Sequence, residues 1–154
     1  MAVRRTRIDH ASFLYLNHTG SYRKFASTLE QVLSHAREAG LTADYEAAAV
    51  LMSDPNVTPE DELTSRVGVL VMEAEPPGIE APVQLETISG LEVYADEYTG
   101  ELSGVPDFYH ALTRAVMQAG HTVCGYPIEV YLKDPALAEQ DDQCHIRVLL
   151  PVVF

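Results

Sequence analysis

The sequence predicts an α+β fold built from two pseudo-symmetric βαββ units. Together they would form a mostly antiparallel sheet with a central ligand cleft. Three observations carry this expectation. The first is punctuation at a constant offset. Thr-Gly at 19–20 recurs at 99–100, Ala-Gly-Leu-Thr at 39–42 recurs as Ala-Gly-His-Thr at 119–122, and Asp-Pro at 54–55 recurs at 134–135. The differences 100−20, 120−40 and 135−55 are all 80, and a fixed period marks a duplicated unit. The second is helical register: Phe25, Leu29, Val32 and Ala36 align with Val105, Tyr109, Leu112 and Val116. The third is the order strand, helix, strand, strand in each half, with one amphipathic helix per half to cover a sheet face. At 154 residues the chain has the size of one domain. A single domain over 1–154 is expected, with internal repeats at about 8–74 and 90–154.

The elements follow in order. Residues 8–20, "IDHASFLYLNHTG", read as a strand. Ser21 can cap a helix running to about Ala39, and Gly40 suits the left-handed position after it. "YEAAAVLMS" is a strand and Asp54-Pro55 a turn. Thr58-Pro59-Glu60-Asp61 resembles a short capped helical start, and "SRVGVLVME" is the next strand. The connection "AEPPGIEAPVQLETISG" bridges the halves near 74–90, with "VQLETI" as a short edge strand. "LEVYADEYTG" opens the second half. Pro106 fits the first turn of a helix to about Ala119. "YPIEVYLKD" and "CHIRVLLPVVF" are the closing strands.

Composition narrows the function. The formal charge is −13 and the hydrophobic fraction 47%. A surface this acidic opposes binding to phosphate backbones or anionic lipid, and its field attracts cations. Arg4, Arg5 and Arg7 near the start read as solvated strand-edge residues. No apolar run approaches the roughly 18 residues that span a bilayer. "MAVRRTRIDH" lacks the apolar stretch of a secretion signal. Cys124 and Cys144 have neither metal nor redox spacing, and the six histidines form no helical pair. No metal and no cofactor are expected. A cytoplasmic protein that touches neither nucleic acid nor membrane directly is expected.

The candidate site lies in "YPIEVYLKDP", residues 126–135. Alternate residues of a strand share a face. Ile128, Val130 and Leu132 would face the helix covering the sheet, so Glu129 and Tyr131 would face away from it, toward a cleft between the halves. Subtracting 80 gives Ala49 for Glu129 and Leu51 for Tyr131, so one carboxylate would stand in an apolar and aromatic hollow. A carboxylate beside tyrosine rings suits an organic cation through Coulomb attraction and the ring quadrupole. Tyr94 and Tyr98, on one side of their strand, are candidate walls.

"HTGSYRKF", "VLMSDPNVTPEDEL", "ISGLEVYADEYTG" and above all "IEVYLKDP" followed by "CHIRVLLPV" resemble the GyrI-like small-molecule-binding family. That family is the effector-binding domain found alone in gyrase-inhibitory proteins and fused to DNA-binding domains in AraC-type and multidrug-responsive regulators. The resemblance covers nearly the whole chain. It implies two units about a pseudo-twofold axis and a pocket glutamate that meets cationic amphipathic ligands. That glutamate would be Glu129, followed by Tyr131 and Asp134-Pro135. Tyr22, in a Gly-Ser-Tyr element where Gly-Pro-Tyr is commoner, completes the candidate ligand-binding set of Glu129, Tyr131, Tyr98, Tyr94 and Tyr22. The altered "TGELSGVPDFY" leaves the second-half rim open. No helix-turn-helix segment accompanies the domain, so a standalone member is expected.

The leading reading is a binding protein for amphipathic, cationic organic compounds or xenobiotics. Two alternatives stand beside it. One is a hydrolase of electrophilic natural products with Glu129 directing water. The other is an acidic inhibitor whose partner would be DNA gyrase or a regulator.

Overall fold

The computed structural model describes residues 3–42, 44–72 and 78–153. The first half supplies β1 (Arg4–Thr19), α1 (Ala26–Glu38), β2 (Glu46–Leu51) and β3 (Thr64–Met72). The second supplies β4 (Gln84–Glu101), α2 (Val105–Gln118), β5 (Thr122–Val123), β6 (Ile128–Tyr131), α3 (Pro135–Asp141) and β7 (Gln143–Val153). The strands run in the order β4-β1-β3-β2-β6-β7-β5, and a further β4–β7 pairing closes six of them into a barrel. Every pairing is antiparallel. No helix of the described residues is long and apolar enough to cross a membrane.

Closure decides which side chains go where. A barrel of about eight strands or fewer has room inside only for side chains. Strand alternation sends Phe13, Tyr15, Val93, Ala95, Ile128, Val130 and Leu149 inward as one cluster. The opposite series faces outward and is covered by helices. Leu29, Val32 and Ala36 of α1 pack on Leu14, Ala49, Leu51, Val67 and Val69. Leu112 and Val116 of α2 pack on Ile146, Val148, Leu150 and Val152. Each such buried aliphatic side chain contributes roughly 1.5–3 kcal/mol relative to leaving it exposed. At Gly68, opposite Tyr15, a Cβ would lie 1.7 Å from the Leu14 carbonyl oxygen. Any side chain there would force β1 and β3 apart.

Four glycines 80 residues apart in pairs share a backbone feature. Gly20 and Gly100 both have positive φ, at 125° and 153°, and so do Gly40 and Gly120, at 94° and 84°. The ladders are similar but slip by one residue in β7: Ala48 pairs with Gly68, whereas Ile128 pairs with Leu149 and not with Val148, which stands 80 residues after Gly68.

Several expectations change. The helix of the first half begins at Ala26, not after Ser21. The Ser21 hydroxyl instead accepts from the Arg23 N–H at 3.1 Å, making a local turn, and the Ala26 N–H donates to Glu139 Oε1 at 3.1 Å. The Glu60–Glu62 turn is 3-10 and has no side-chain cap. "VQLETI" is no separate edge strand but the start of the long β4. The expected bridge near 74–90 begins in residues outside those described. Asp134-Pro135 starts a helix, α3, because the Asp134 carboxylate caps it by accepting from the Ala136 N–H at 2.9 Å. Arg5 and Arg7 lie within β1 and meet Glu92 of β4 at 3.8 and 3.5 Å. Such exposed pairs add little.

Candidate functional site

Glu129 sits mid-strand in β6, between Ala49 of β2 and Val148 of β7, which pair with it on either side. Both neighbours are fully buried, and Glu129 itself is only 7% exposed. Its carboxylate accepts two hydrogen bonds. The Tyr109 hydroxyl of α2 donates to Oε2 at 2.6 Å, and the Tyr131 hydroxyl donates to Oε1 at 2.7 Å. The Tyr131 ring packs on Phe25, with centroids 4.8 Å apart.

This corrects the expected orientation. Glu129 and Tyr131 face the helices, and Ile128 and Val130 face away from them into the barrel. The expectation treated the helix-covered face as the drier one. In a closed barrel the interior is drier still and takes the wholly apolar series. The mixed series is left beneath the helices, where polar groups can find partners.

Burial pushes the Glu129 carboxyl above the usual carboxylate range. The two tyrosine hydrogen bonds pull it back only in part. Among the described residues no cation contributes. Tyr109 and Tyr131 are both pushed well above an ordinary phenol, first by burial and then by the Glu129 charge. The two hydroxyls therefore stay protonated as donors, aimed at a carboxylate whose charged form, among the described residues, they alone hold.

A cavity of about 970 Å³ opens beside this cluster. Its wall comes from both halves: the loop before α1, the stretch after β2, the turn before α2, and β6 and β7. Glu129, Tyr131 and Tyr22 line it, as do Tyr109, Tyr126 and Cys144. Tyr22 is anchored there by its hydroxyl, which lies 2.9 Å from the Ser53 and Thr64 carbonyl oxygens and accepts from the Ser53 N–H at 2.8 Å. Its ring is left as wall. The Cys144 thiol is pushed up by burial and then by Glu129, which keeps it protonated. Among the described residues no group of three His, Cys, Asp or Glu side chains is arranged to hold a metal ion.

The structure does not bring Tyr94 and Tyr98 to this cavity. They lie on β4, separated from β6 by β7. Tyr94 packs on His121 with centroids 5.3 Å apart. Tyr98 packs on Phe108 at 5.4 Å, and its hydroxyl donates to the Glu101 carbonyl oxygen at 2.6 Å. Tyr109 was missed as a site residue. The signal for it was present in the repeat: Tyr109 stands 80 residues after Leu29, a tyrosine on a helix face that is otherwise apolar.

The family model for the GyrI-like small molecule binding domain matches residues 1–152. No curated protein matches the chain in sequence. Among solved structures, the EcmrR C-terminal domain superposes with TM-score 0.79 at 13% identity, covering 98% of this chain and 96% of that one. The chain spans 56% of the longer EcmrR chain in its DNA complex. A hydrolase encoded by lin2189 from Listeria innocua gives TM-score 0.75 at 14% identity, with 98% and 91% covered. SAV2435 bound to tetraphenylphosphonium gives TM-score 0.54 at 12% identity, with 99% and 94% covered.

Proposed function

The chain belongs to the GyrI-like small-molecule-binding family, and on that premise we propose that its cavity binds amphipathic organic cations, with Glu129 as the anionic contact. One observation carries this: a buried carboxylate, held among the described residues only by two tyrosine hydroxyls, borders a cavity of about 970 Å³. Small-molecule sites have roughly 300–1,000 Å³ and few polar groups among apolar and aromatic walls. A bound cation would supply the charge partner that Glu129 lacks. The other charged lining residues are Asp54 and Glu60 against Arg23, so the wall as a whole favours positive charge. The binding of tetraphenylphosphonium by SAV2435, a protein of the same fold, supports the reading.

The halves, about 8–74 and 90–154, would be related by a pseudo-twofold axis passing near the Ala49–Glu129 pair. The glycine conformations and the Ala49–Glu129 pairing support this relation, with β7 shifted by one residue from the 80-residue offset. The cavity would then be the cleft between halves.

A second reading has its own observation. A carboxylate pushed above its usual range is a better base, and the adjacent tyrosines could orient a water or an electrophile. A hydrolase of the same fold supports it. A gyrase contact would rest on the net charge of −13 alone.

One experiment separates binder from hydrolase. A thermal-shift screen of bulky organic cations, starting from tetraphenylphosphonium, is followed by mass analysis of the best compound after incubation with catalytic amounts of protein. Stabilisation with the compound recovered intact is the expected result. Turnover would favour the hydrolase, and no stabilisation by any cation would overturn the proposal.

A further inference from the structure

We propose that Arg23 forms a second polar subsite at the cavity mouth, so that the cavity favours organic cations carrying a carboxylate or carbonyl group at their far end. This rests on the cation-binding reading above. Arg23 lies in the loop between β1 and α1, is exposed, and lines the same cavity as Glu129. Its guanidinium offers five N–H donors. One, on Nη2, makes a long hydrogen bond of 3.3 Å to the Leu102 carbonyl oxygen in the turn before α2. Among the described residues no carboxylate pairs with it, although the chain carries 23 acidic against 10 basic side chains.

The guanidinium reaches from the loop before α1 in the first half to the turn before α2 in the second. A planar fork with unspent donors suits a carboxylate or carbonyl oxygen. The cavity would therefore read a ligand at two points: positive charge at Glu129, contributed by the second half, and an acceptor at Arg23, contributed by the first. The overall acidic field works against any carboxylate, so the contribution of Arg23 must be measured as a ratio between matched ligands.

The test uses calorimetry on the full chain with two probes, (4-carboxyphenyl)triphenylphosphonium and (4-methylphenyl)triphenylphosphonium. They differ only in the far-end group. Arg23→Met keeps much of the aliphatic stem and removes the fork. In Arg23→Met the ratio of Kd for the carboxy probe to Kd for the methyl probe should rise about 3- to 10-fold, the worth of one partly exposed charge-assisted hydrogen bond. The methyl probe should bind as well as before, or better. A ratio unchanged within about twofold overturns the subsite. Equal weakening of both probes also overturns it, because Arg23 would then only close the mouth. If neither probe binds the parent chain, the cation reading fails and this one fails with it. If both bind and only the ratio is unmoved, Arg23 alone is refuted.

Discussion

Tyr109, Glu129 and Tyr131 stand 80 residues after Leu29, Ala49 and Leu51. The later trio is a hydrogen-bonded polar cluster beside a cavity. The earlier trio is apolar core between α1 and the sheet, with exposures of 6%, 0% and 8%, and of the three Leu51 reaches the cavity wall. The comparison is direct, because Ala49 lies opposite Glu129 across the β2–β6 ladder. One half supplies the polar groups and the other the small side chain that leaves them room. Inside the barrel the halves also differ, but there the volumes compensate. Tyr15 faces Gly68 across β1–β3, while Ala95 faces Leu149 across β4–β7. A large residue against none becomes a small residue against a medium one. A close-packed interior demands such balance. The outer face, bordered by a cavity, does not, and that is where the halves diverge into a site.

Making the halves alike should break the arrangement. Ala49→Glu would set a second carboxylate against the first in a buried setting with no cation. An uncompensated buried charge costs about 3–5 kcal/mol, so urea unfolding at pH 8 should show a loss of that order. Part of it should return on acidification, when one of the two carboxyls takes up a proton. An unchanged unfolding midpoint at pH 8 would mean that the face is wetter than its burial implies.

Removing the charge from the polar half is the next largest change. Glu129→Gln should weaken tetraphenylphosphonium binding by roughly 1–3 kcal/mol while leaving the fold intact. The pH dependence has a definite sign. Folding raises the Glu129 pKa, chiefly through burial. Its contribution to stability is therefore fully present below the unfolded value and is lost as pH rises through the folded value. The stability of the parent chain minus that of Glu129→Gln should fall across that window. Glu97 and Asp141 have lowered values and act in the opposite sense, but they cancel in the difference. Cation binding should run the other way and weaken as pH falls through the raised value. A pH-independent difference between the two chains would contradict the buried-carboxylate description.

The two tyrosines can be tested singly. Tyr109→Phe and Tyr131→Phe each remove one donor to the carboxylate, at a cost of about 1 kcal/mol in stability above the Glu129 pKa. Each hydroxyl works to lower that pKa, so each variant should raise it further. The acid limb of cation binding should shift to higher pH. Calorimetry across a pH series would show whether the limb moves. No movement in either variant would mean that the hydroxyls do not hold the charge.

Much of this was legible in the sequence, for physical reasons. Gly20, Gly40, Gly100 and Gly120 mark backbone conformations that few other residues adopt, so the 80-residue spacing shows in the punctuation even where the side chains differ. Glu129 was legible because a carboxylate interrupts a strand that is otherwise apolar and aromatic. Barrel closure was not, since the β4–β7 pairing joins strands some 40 to 60 residues apart and leaves no local pattern. Without closure, the face of Glu129 was assigned to the wrong side. Tyr109 lay hidden for a related reason: on its own helix it reads as one more large residue on the packed face, and only the β6 carboxylate gives its hydroxyl a purpose. α3 was missed because Asp-Pro signals a turn and a helix start equally well.

The smallest expected effect concerns Tyr94, which the strand pattern offered as a cavity wall and the structure places two strands from β6. Its ring packs against His121, and among the described residues its hydroxyl makes no hydrogen bond. Tyr94→Phe keeps the ring and the packing. It should change stability by less than about 0.5 kcal/mol, as a substitution that removes neither a buried contact nor a bonded group. Its affinity for tetraphenylphosphonium should equal that of the parent chain, measured side by side with Tyr131→Phe. The contrast is the informative part. Tyr94 and Tyr131 are both strand tyrosines on helix-covered faces, and they differ chiefly in whether the Glu129 carboxylate is within reach. If Tyr94→Phe weakened cation binding as much as Tyr131→Phe, proximity to Glu129 would not be what makes a tyrosine part of the site, and the boundary between the polar cluster and the surrounding core would have to be redrawn toward β4.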